Sequence, residues 1–197
     1  MKKKAKIIIG VIVAGIVILA GVISLIVYDS SLTDIDKGDD IYSAIKSAQQ
    51  SFSENEAYKK FNKPVSDEEV KTAEYFVMKN GDYASIFYQL NSNTNVLILK
   101  KSNFSGTKYK LIASSSTEDY IEKSITTDED KKIFSLFVTQ NKQKFDTVKI
   151  VDKNSKKELF TQKINAYPYY TLYVNDNKSN IEIQYVKDNK VTENEKW

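Results

Sequence analysis

Three tyrosines near the C-terminus have the residue type and spacing that most favour binding chemistry. Tyr167, Tyr169 and Tyr173 lie at alternate positions of the segment 167–174. Alternate residues of a strand share one face, so a strand here would place the three rings side by side. On a solvent-facing side of a sheet they would form a platform for stacking on sugar rings or gripping a protein. Because the chain has 13 Tyr, the alternative is that another element covers the rings as ordinary core.

A serine and a lysine one helical turn apart could act as a nucleophile and its base. Ser43 and Lys46 have the S-x-x-K spacing, which is similar to that of serine β-lactamases and penicillin-binding proteins. The companion motifs S-D-N and K-T-G are absent, and Lys71-Thr72-Ala73 is the nearest approach to them. A chain this rich in Ser and Lys contains such pairs by chance. We therefore predict no catalytic residues here.

Acidic residues cluster at 34–40 with a spacing that could bind a cation. Ile45 stands where an EF-hand loop starting at Asp34 needs a bidentate Glu. We therefore predict no metal site and no cofactor, and we interpret these acids as part of a spacer. A hydrolase that uses paired Asp or Glu carboxylates is the enzymatic alternative.

The chain contains no Cys, His or Arg, and this excludes several kinds of chemistry. Disulfides, thiol nucleophiles, Ser-His triads and His or Cys zinc sites all need residues that are missing. The net charge of +3 comes from four Lys within the first six residues, since 25 Lys and 26 acids follow residue 28. No basic face is expected, and we predict no binding to nucleic acid.

An uncharged apolar run of 22 residues from Ile7 to Tyr28 predicts a transmembrane helix. At about 1.5 Å per residue it would extend roughly 33 Å, enough for a hydrocarbon core of about 30 Å. A cleavable signal peptide is the alternative, but its apolar region is usually only about 7–15 residues long. Four Lys precede the run and acids follow it, so the positive-inside rule places residues 1–6 in the cytoplasm and the rest outside.

Small residues recur on one face of this predicted helix, at Gly10, Ala14, Gly21 and Ser24. Small residues allow membrane helices to approach closely, so a homodimer through this face is one hypothesis. The alternative is that Gly and Ala are simply common in membrane helices.

Helical periodicity follows the apolar run. Residues 29–39 are polar and read as an acidic spacer, and residues 40–53 read as a helix capped by Asp40. The apolar face of this helix would consist of Ile41, Ile45, Ala48 and Phe52. Further on, Ser66 and Glu69 have the spacing of a capping box.

From residue 72 the pattern alternates as in strands. Four strands predict an antiparallel β-meander over 72–113, with a hairpin turn at Asn80-Gly81. Residues 114–132 are polar, and a helical turn is expected at 118–123. Five further short strands predict a β-sandwich-like segment over 133–186, followed by a solvated tail at 187–197.

These features predict one N-terminal transmembrane helix and an extracytoplasmic α+β, mostly-β domain with a short membrane-proximal helix. The predicted organisation is a cytoplasmic tail (1–6), a signal-anchor helix (7–28), an acidic spacer (29–39), a helix plus meander (40–125), and a sandwich-like segment with a polar tail (126–197). One domain with one core is favoured over two small modules, because about 165 residues suit a single core.

In layout and composition the chain resembles the small signal-anchored surface proteins of low-GC Gram-positive bacteria. That layout predicts a membrane-anchored binding or assembly module, accessory to an envelope, secretion or DNA-transfer apparatus. Its expected partners are the lipid bilayer through residues 7–28 and an envelope protein or glycan. An envelope hydrolase and a self-protection (immunity) protein are the alternatives.

Overall fold

A computed structural model describes residues 31–103, 105–176 and 180–196 of the chain. The described part is mostly antiparallel β with two helices, which confirms the predicted class of the domain. The helices are α1 (Gly38–Glu54) and α2 (Asp67–Lys71).

Three antiparallel sheets contain the described strands. The N-terminal sheet consists of β1 (Thr33–Asp34), β2 (Glu74–Asn80), β3 (Tyr83–Leu90), β4 (Asn93–Lys101) and β5 (Lys108–Thr117), in the order β1-β5-β4-β3-β2. The middle sheet consists of β6 (Ile121–Asp128), β7 (Lys131–Val138) and β10 (Tyr169–Asp176), in the order β10-β7-β6. The C-terminal sheet consists of β8 (Thr147–Asp152), β9 (Glu158–Lys163), β11 (Ile181–Lys187) and β12 (Lys190–Lys196), in the order β12-β11-β8-β9.

The elements stack as four layers, with α1 outermost, then the N-terminal, middle and C-terminal sheets. One apolar cluster joins α1 to the N-terminal sheet and includes Ile45, Phe52, Ile86 and Leu97. A second joins the N-terminal sheet to the middle sheet and includes Phe87, Ile98, Phe137 and Leu172. A third joins the middle sheet to the C-terminal sheet and includes Phe134, Leu136, Ile150 and Ile183.

The middle sheet is covered on both faces, which explains the composition of β7. Residues Ile133 to Val138 are all buried. A strand buried on both sides reads as a continuous apolar run because both of its faces contact core. Phe134 packs toward the C-terminal sheet and Phe137 toward the N-terminal sheet.

Helix α1 buries the predicted face against the N-terminal sheet, with Ile41, Ile45, Ala48 and Phe52 all buried. The predicted N-cap is wrong: Lys37 occupies that position, and Asp40 lies in the first turn. The Asp40 side chain instead accepts a hydrogen bond from the Asp34 backbone N–H through Oδ2 (3.1 Å). The capping box of α2 is confirmed, since Ser66 and Glu69 each bond the other's backbone N–H.

The β2–β3 hairpin turns one residue later than predicted. Asn80 pairs with Tyr83, so the two loop residues are Gly81 and Asp82. Of these only Gly81 has a positive φ, +60°, which fits a type II′ turn with Gly first rather than type I′.

Residues 29–39 were expected to form a spacer, but from Ser31 onward they belong to the fold. Leu32 and Ile35, the apolar residues of that segment, are buried, and Thr33 pairs with Tyr109 of β5. Burial of these two side chains draws the short strand β1 onto the sheet edge.

Two polar segments, 114–132 and 187–197, were not expected to contain strands, but the structure places strands in both. The helical turn predicted at 118–123 is wrong, because β5 continues to Thr117 and β6 begins at Ile121. The predicted boundary between residues 125 and 126 falls within β6. Most of the predicted tail is β12, which pairs with β11 through a two-residue turn at Asp188-Asn189. Both turn residues have positive φ, the type I′ geometry.

Within the described ranges, no helix is long and apolar enough to cross a membrane. The predicted transmembrane run and its face of Gly10, Ala14, Gly21 and Ser24 lie outside the described residues.

Candidate functional site

The three tyrosines singled out by their spacing lie between the middle and C-terminal sheets. Tyr169 and Tyr173 belong to β10, Tyr167 precedes it, and all three are half-buried against the cluster between these sheets. The ring of Tyr173 lies 5.2 Å from that of Phe160 on β9. The expected solvent-facing side of the sheet is covered, because the C-terminal sheet packs on it. Tyr173 therefore contributes to packing, while Tyr167 lies at the margin.

The side chains of Asn141, Gln143 and Tyr167 meet at this margin, and Tyr169 follows two residues after Tyr167. We call these four residues the tyrosine rim. Gln143 donates a hydrogen bond from Nε2 to the Tyr167 hydroxyl, which donates in turn to Asn141 Oδ1 (3.3 Å). Among the described residues, Gln143 Oε1 and the Tyr169 hydroxyl are buried without a normal hydrogen bond, although the Thr171 side chain acts on the Tyr169 hydroxyl. Burial also raises the pKa of Tyr169, so its hydroxyl is a neutral donor.

Unpartnered buried polar atoms are uncommon in folded proteins, and a ligand or ordered water completes most of them. At the tyrosine rim the Gln143 amide oxygen lacks a hydrogen-bond partner among the described residues, and its amide nitrogen contacts the half-exposed Tyr167. Rings, amides and hydroxyls together suit a ligand rich in hydroxyl groups. Sequence reasoning identified the tyrosines but missed Asn141 and Gln143, because nothing in their local spacing links that loop to β10.

The Ser43 and Lys46 pair does not form a nucleophile and base. Ser43 Oγ donates to its own helix, at the Asp39 carbonyl (2.8 Å). The Lys46 ammonium forms an ion pair with the Asp67 carboxylate of α2. Both side chains line a depression of about 230 Å³ between α1 and α2. The spacing thus places the two residues on one helix face, but each binds a different partner.

The acids at 34–40 bond to protein groups rather than converging on a point. Asp34 accepts a hydrogen bond from the Asp36 backbone N–H and pairs with Lys37 at 3.4 Å. Asp36 pairs with Lys79 at 2.7 Å. In the part of the chain that the structure describes, no group of three or more acids is arranged to hold a metal ion.

A lysine between the middle and C-terminal sheets forms ion pairs with two glutamates. Lys123 Nζ lies 2.8 Å from Glu193 and 3.3 Å from Glu195, both on β12. The same ammonium lies 3.9 Å from the centre of the Tyr185 ring, a cation–π contact. Burial, followed by the two nearby carboxylates, raises the pKa of Tyr185. These ion pairs link the middle sheet, through Lys123, to the C-terminal sheet, through the two glutamates.

A second ion cluster joins the N-terminal and middle sheets. Lys100 on β4 contacts Asp128 at 2.8 Å and Glu129 at 3.1 Å. The Tyr83 hydroxyl donates to Asp128 (2.7 Å). Burial acts to raise the pKa of Asp128, but hydrogen bonds from Lys100 and Tyr83 outweigh it, and the pKa is lowered. The cluster therefore ties the C-terminal end of β6, at Asp128, to the N-terminal sheet.

Buried amides hold α1 and the following loop on the N-terminal sheet. Gln49 donates to the Tyr88 hydroxyl (3.0 Å) and to Asn95 (3.3 Å). Asn62 donates to Ser116 (3.1 Å), and it accepts from Asn93 through Oδ1 (3.1 Å). These side chains satisfy one another, so we assign the network to structure.

No protein-family model, curated protein or solved structure matches the chain.

Proposed function

We propose that the protein is a membrane-anchored extracytoplasmic binding module whose ligand docks at the tyrosine rim. The observation that carries the proposal is the contact of Gln143 with the half-exposed Tyr167, in which the buried Gln143 Oε1 has no hydrogen-bond partner among the described residues. We infer a hydroxyl-rich ligand, with an envelope glycan as the chemical class. The ring would stack on a sugar, while the amide oxygen accepts from a sugar hydroxyl.

The membrane anchor in this proposal is residues 7–28, supported by the length of the apolar run and the four preceding Lys. The proposed partners are therefore the lipid bilayer and an envelope glycan or glycan-bearing protein. Pairing through Gly10, Ala14, Gly21 and Ser24 is a further element of the proposal. An accessory role in an envelope, secretion or DNA-transfer apparatus would follow from such tethering.

Binding is favoured over hydrolysis by how the candidate catalytic groups are used. Ser43 bonds a backbone carbonyl and Lys46 pairs with Asp67. Glu193 and Glu195 share one lysine. A general acid or base needs to reach a substrate proton, and these groups contact protein instead.

The binding part of the proposal is tested by titrating the full chain in detergent micelles with chito-oligosaccharides. Tyr167→Ala should weaken binding at least tenfold because it removes the ring and the group that orients Gln143. Gln143→Leu should weaken binding while keeping the ring. The matched control is Tyr42→Ala, which removes a half-buried ring on α1. Equal affinity of the wild type and Tyr167→Ala, or no saturable binding by the wild type, would contradict the proposal.

The topology part of the proposal is tested by introducing single cysteines and labelling them. The chain contains no Cys, so an introduced Cys is its sole thiol. Asn154→Cys, in the exposed β8–β9 turn, should react with a membrane-impermeant maleimide on intact cells. Ala5→Cys should react only after the membrane is permeabilised. Protection of Asn154→Cys on intact cells would refute the proposed orientation.

A further inference from the structure

A carboxyl group is buried at the contact between the N-terminal and middle sheets. Glu122 is the second residue of β6, and only 7% of its surface is exposed. Its partner across the middle sheet is Phe137 of β7, which faces the N-terminal sheet. Directly opposed residues share a face, so the Glu122 side chain also faces the N-terminal sheet.

The groups that act on this carboxyl come from β5 and the turn that joins β5 to β6. The Ser115 hydroxyl of β5 is directed at it, yet among the described residues Ser115 Oγ is buried without a normal hydrogen bond. Asp119 in the turn is the charged neighbour that acts on it, and its charge repels a Glu122 carboxylate.

Two lysines near Glu122 in the fold, one on β4 and one on β6 itself, form ion pairs with other acids. Lys100 of β4 contacts Asp128 and Glu129 at the far end of β6. Lys123 lies on the opposite face of β6, where it contacts two glutamates of β12. Burial, together with the charge of Asp119, raises the pKa of Glu122 to about 7, although Ser115 acts to lower it. In the part of the chain that the structure describes, no ion pair reaches Glu122, so its ionised form would be a buried charge without a counter-ion there.

We propose that residues 115–122, which we call the β5–β6 corner, form a proton-controlled contact between the two sheets. With a neutral Glu122 the corner is closed, and the carboxyl lies against Ser115 on the side that faces the N-terminal sheet. When the carboxyl loses its proton to solvent, the anion gains hydration by leaving the contact, and the corner opens. The Lys100–Asp128 cluster holds the other end of β6, so opening is confined to the corner. This inference is independent of the proposed ligand and anchor.

Hydrogen exchange of the full chain in detergent micelles measures the opening. The open corner has an ordinary Glu pKa near 4.5, whereas the closed corner has a pKa of about 7. Linkage then predicts that the opening equilibrium rises about tenfold between pH 6 and pH 8. Amides of residues 115–122 should therefore exchange about tenfold faster at pH 8, after division by the intrinsic exchange rate. Amides of residues 131–133 of β7, which pair with the end of β6 that the Lys100 cluster holds, should show no such change.

Glu122→Gln, which keeps the shape of the side chain without its charge, should abolish the pH dependence. The matched control, Glu118→Gln, removes an exposed acid of the same turn and should retain it. A pH-independent corner in the wild type, or an unchanged pH dependence in Glu122→Gln, would overturn the proposal.

A second measurement serves if Glu122→Gln fails to fold. The carboxyl carbon of Glu122 in the wild type, followed by NMR, should titrate with a midpoint near pH 7. A midpoint near 4.5 would overturn the proposal. Closure of the corner at pH 8 on adding CaCl₂, with NaCl of equal ionic strength having no effect, would identify a cation site instead and also overturn it.

Discussion

Truncating Phe137 should weaken the entire stack, because this one ring links two of the three sheets. Phe137 is fully buried, and its ring lies 5.6 Å from Phe87 and 6.2 Å from Phe76, both on the N-terminal sheet. Removing a buried Phe side chain to Ala costs roughly 3–5 kcal/mol. That range already includes the lost ring–ring contacts, which account for about 0.5–1.5 kcal/mol of it. We therefore expect Phe137→Ala to lower the free energy of unfolding by about 4 kcal/mol.

Urea denaturation, followed by far-ultraviolet circular dichroism, measures this loss. One transition should move to lower urea with an unchanged slope, since the shared cluster makes the sheets unfold together. A double-mutant cycle with Phe87→Ala should be non-additive by at least about 0.5 kcal/mol. The control cycle, with Phe160→Ala in the third cluster, should be closer to additive. Two separate transitions, or a loss below about 1 kcal/mol, would refute the reasoning.

Three further predictions concern charge and metal. For Glu122 the folded pKa is raised from its usual 4.5 to about 7. The stability contributed by its proton is therefore complete below pH 4.5, declines between 4.5 and 7, and is absent above 7. Between pH 4 and pH 8 the free energy of unfolding of the wild type should fall by about 3 kcal/mol relative to that of Glu122→Gln. A difference between the two proteins that does not change with pH would contradict this. Lys123→Met should cost about 1 kcal/mol in urea denaturation, less at high salt, because it removes two partly exposed ion pairs and a cation–π contact; a larger cost at high salt would argue against it. EDTA should leave the melting temperature unchanged because the acids at 34–40 bond protein groups, and a fall of several degrees would reveal a structural metal.

The sequence is most informative where one face of an element is apolar. The periodicity of α1 predicts its buried residues, and the capping box predicts the start of α2. Alternation locates the meander strands and predicts β8 with both of its ends. In these elements local pattern and tertiary burial agree, so pattern alone is sufficient.

Alternation of apolar and polar residues does not predict strands that contain few apolar residues. The C-terminal half of β5 is a run of Ser and Thr, and β12 alternates Glu with Thr and Asn. Such strands are stabilised by their ladders with β4 and β11 rather than by an apolar face. The polar half of β5 pairs with residues of β4 that precede it by 17 to 23 positions, from Leu97↔Ser114 to Thr94↔Thr117, so a short sequence window does not contain both strands.

The candidate site shows the same limit. Alternation correctly groups Tyr169 with Tyr173, but it does not reveal that the C-terminal sheet covers them. Gln143 reaches Tyr167 from a loop 24 residues away in sequence. Glu122 has no local signal of burial either, because its cover comes from strands of a different sheet.

The order of the layers has a consequence for synthesis of the chain. Helix α1 and every strand of the N-terminal sheet lie before residue 118, whereas β7 begins at Lys131 and β10 at Tyr169. Until those two strands have been made, Phe76 and Phe87 lack Phe137 and Tyr170, whose rings lie 5.0–6.2 Å from theirs in the finished protein. An unfinished chain that ends between β5 and β7 therefore carries a sheet with a bare aromatic side. Such an intermediate exposes apolar surface that a holding chaperone can bind, and a chain shortened before β7 would keep that side uncovered permanently.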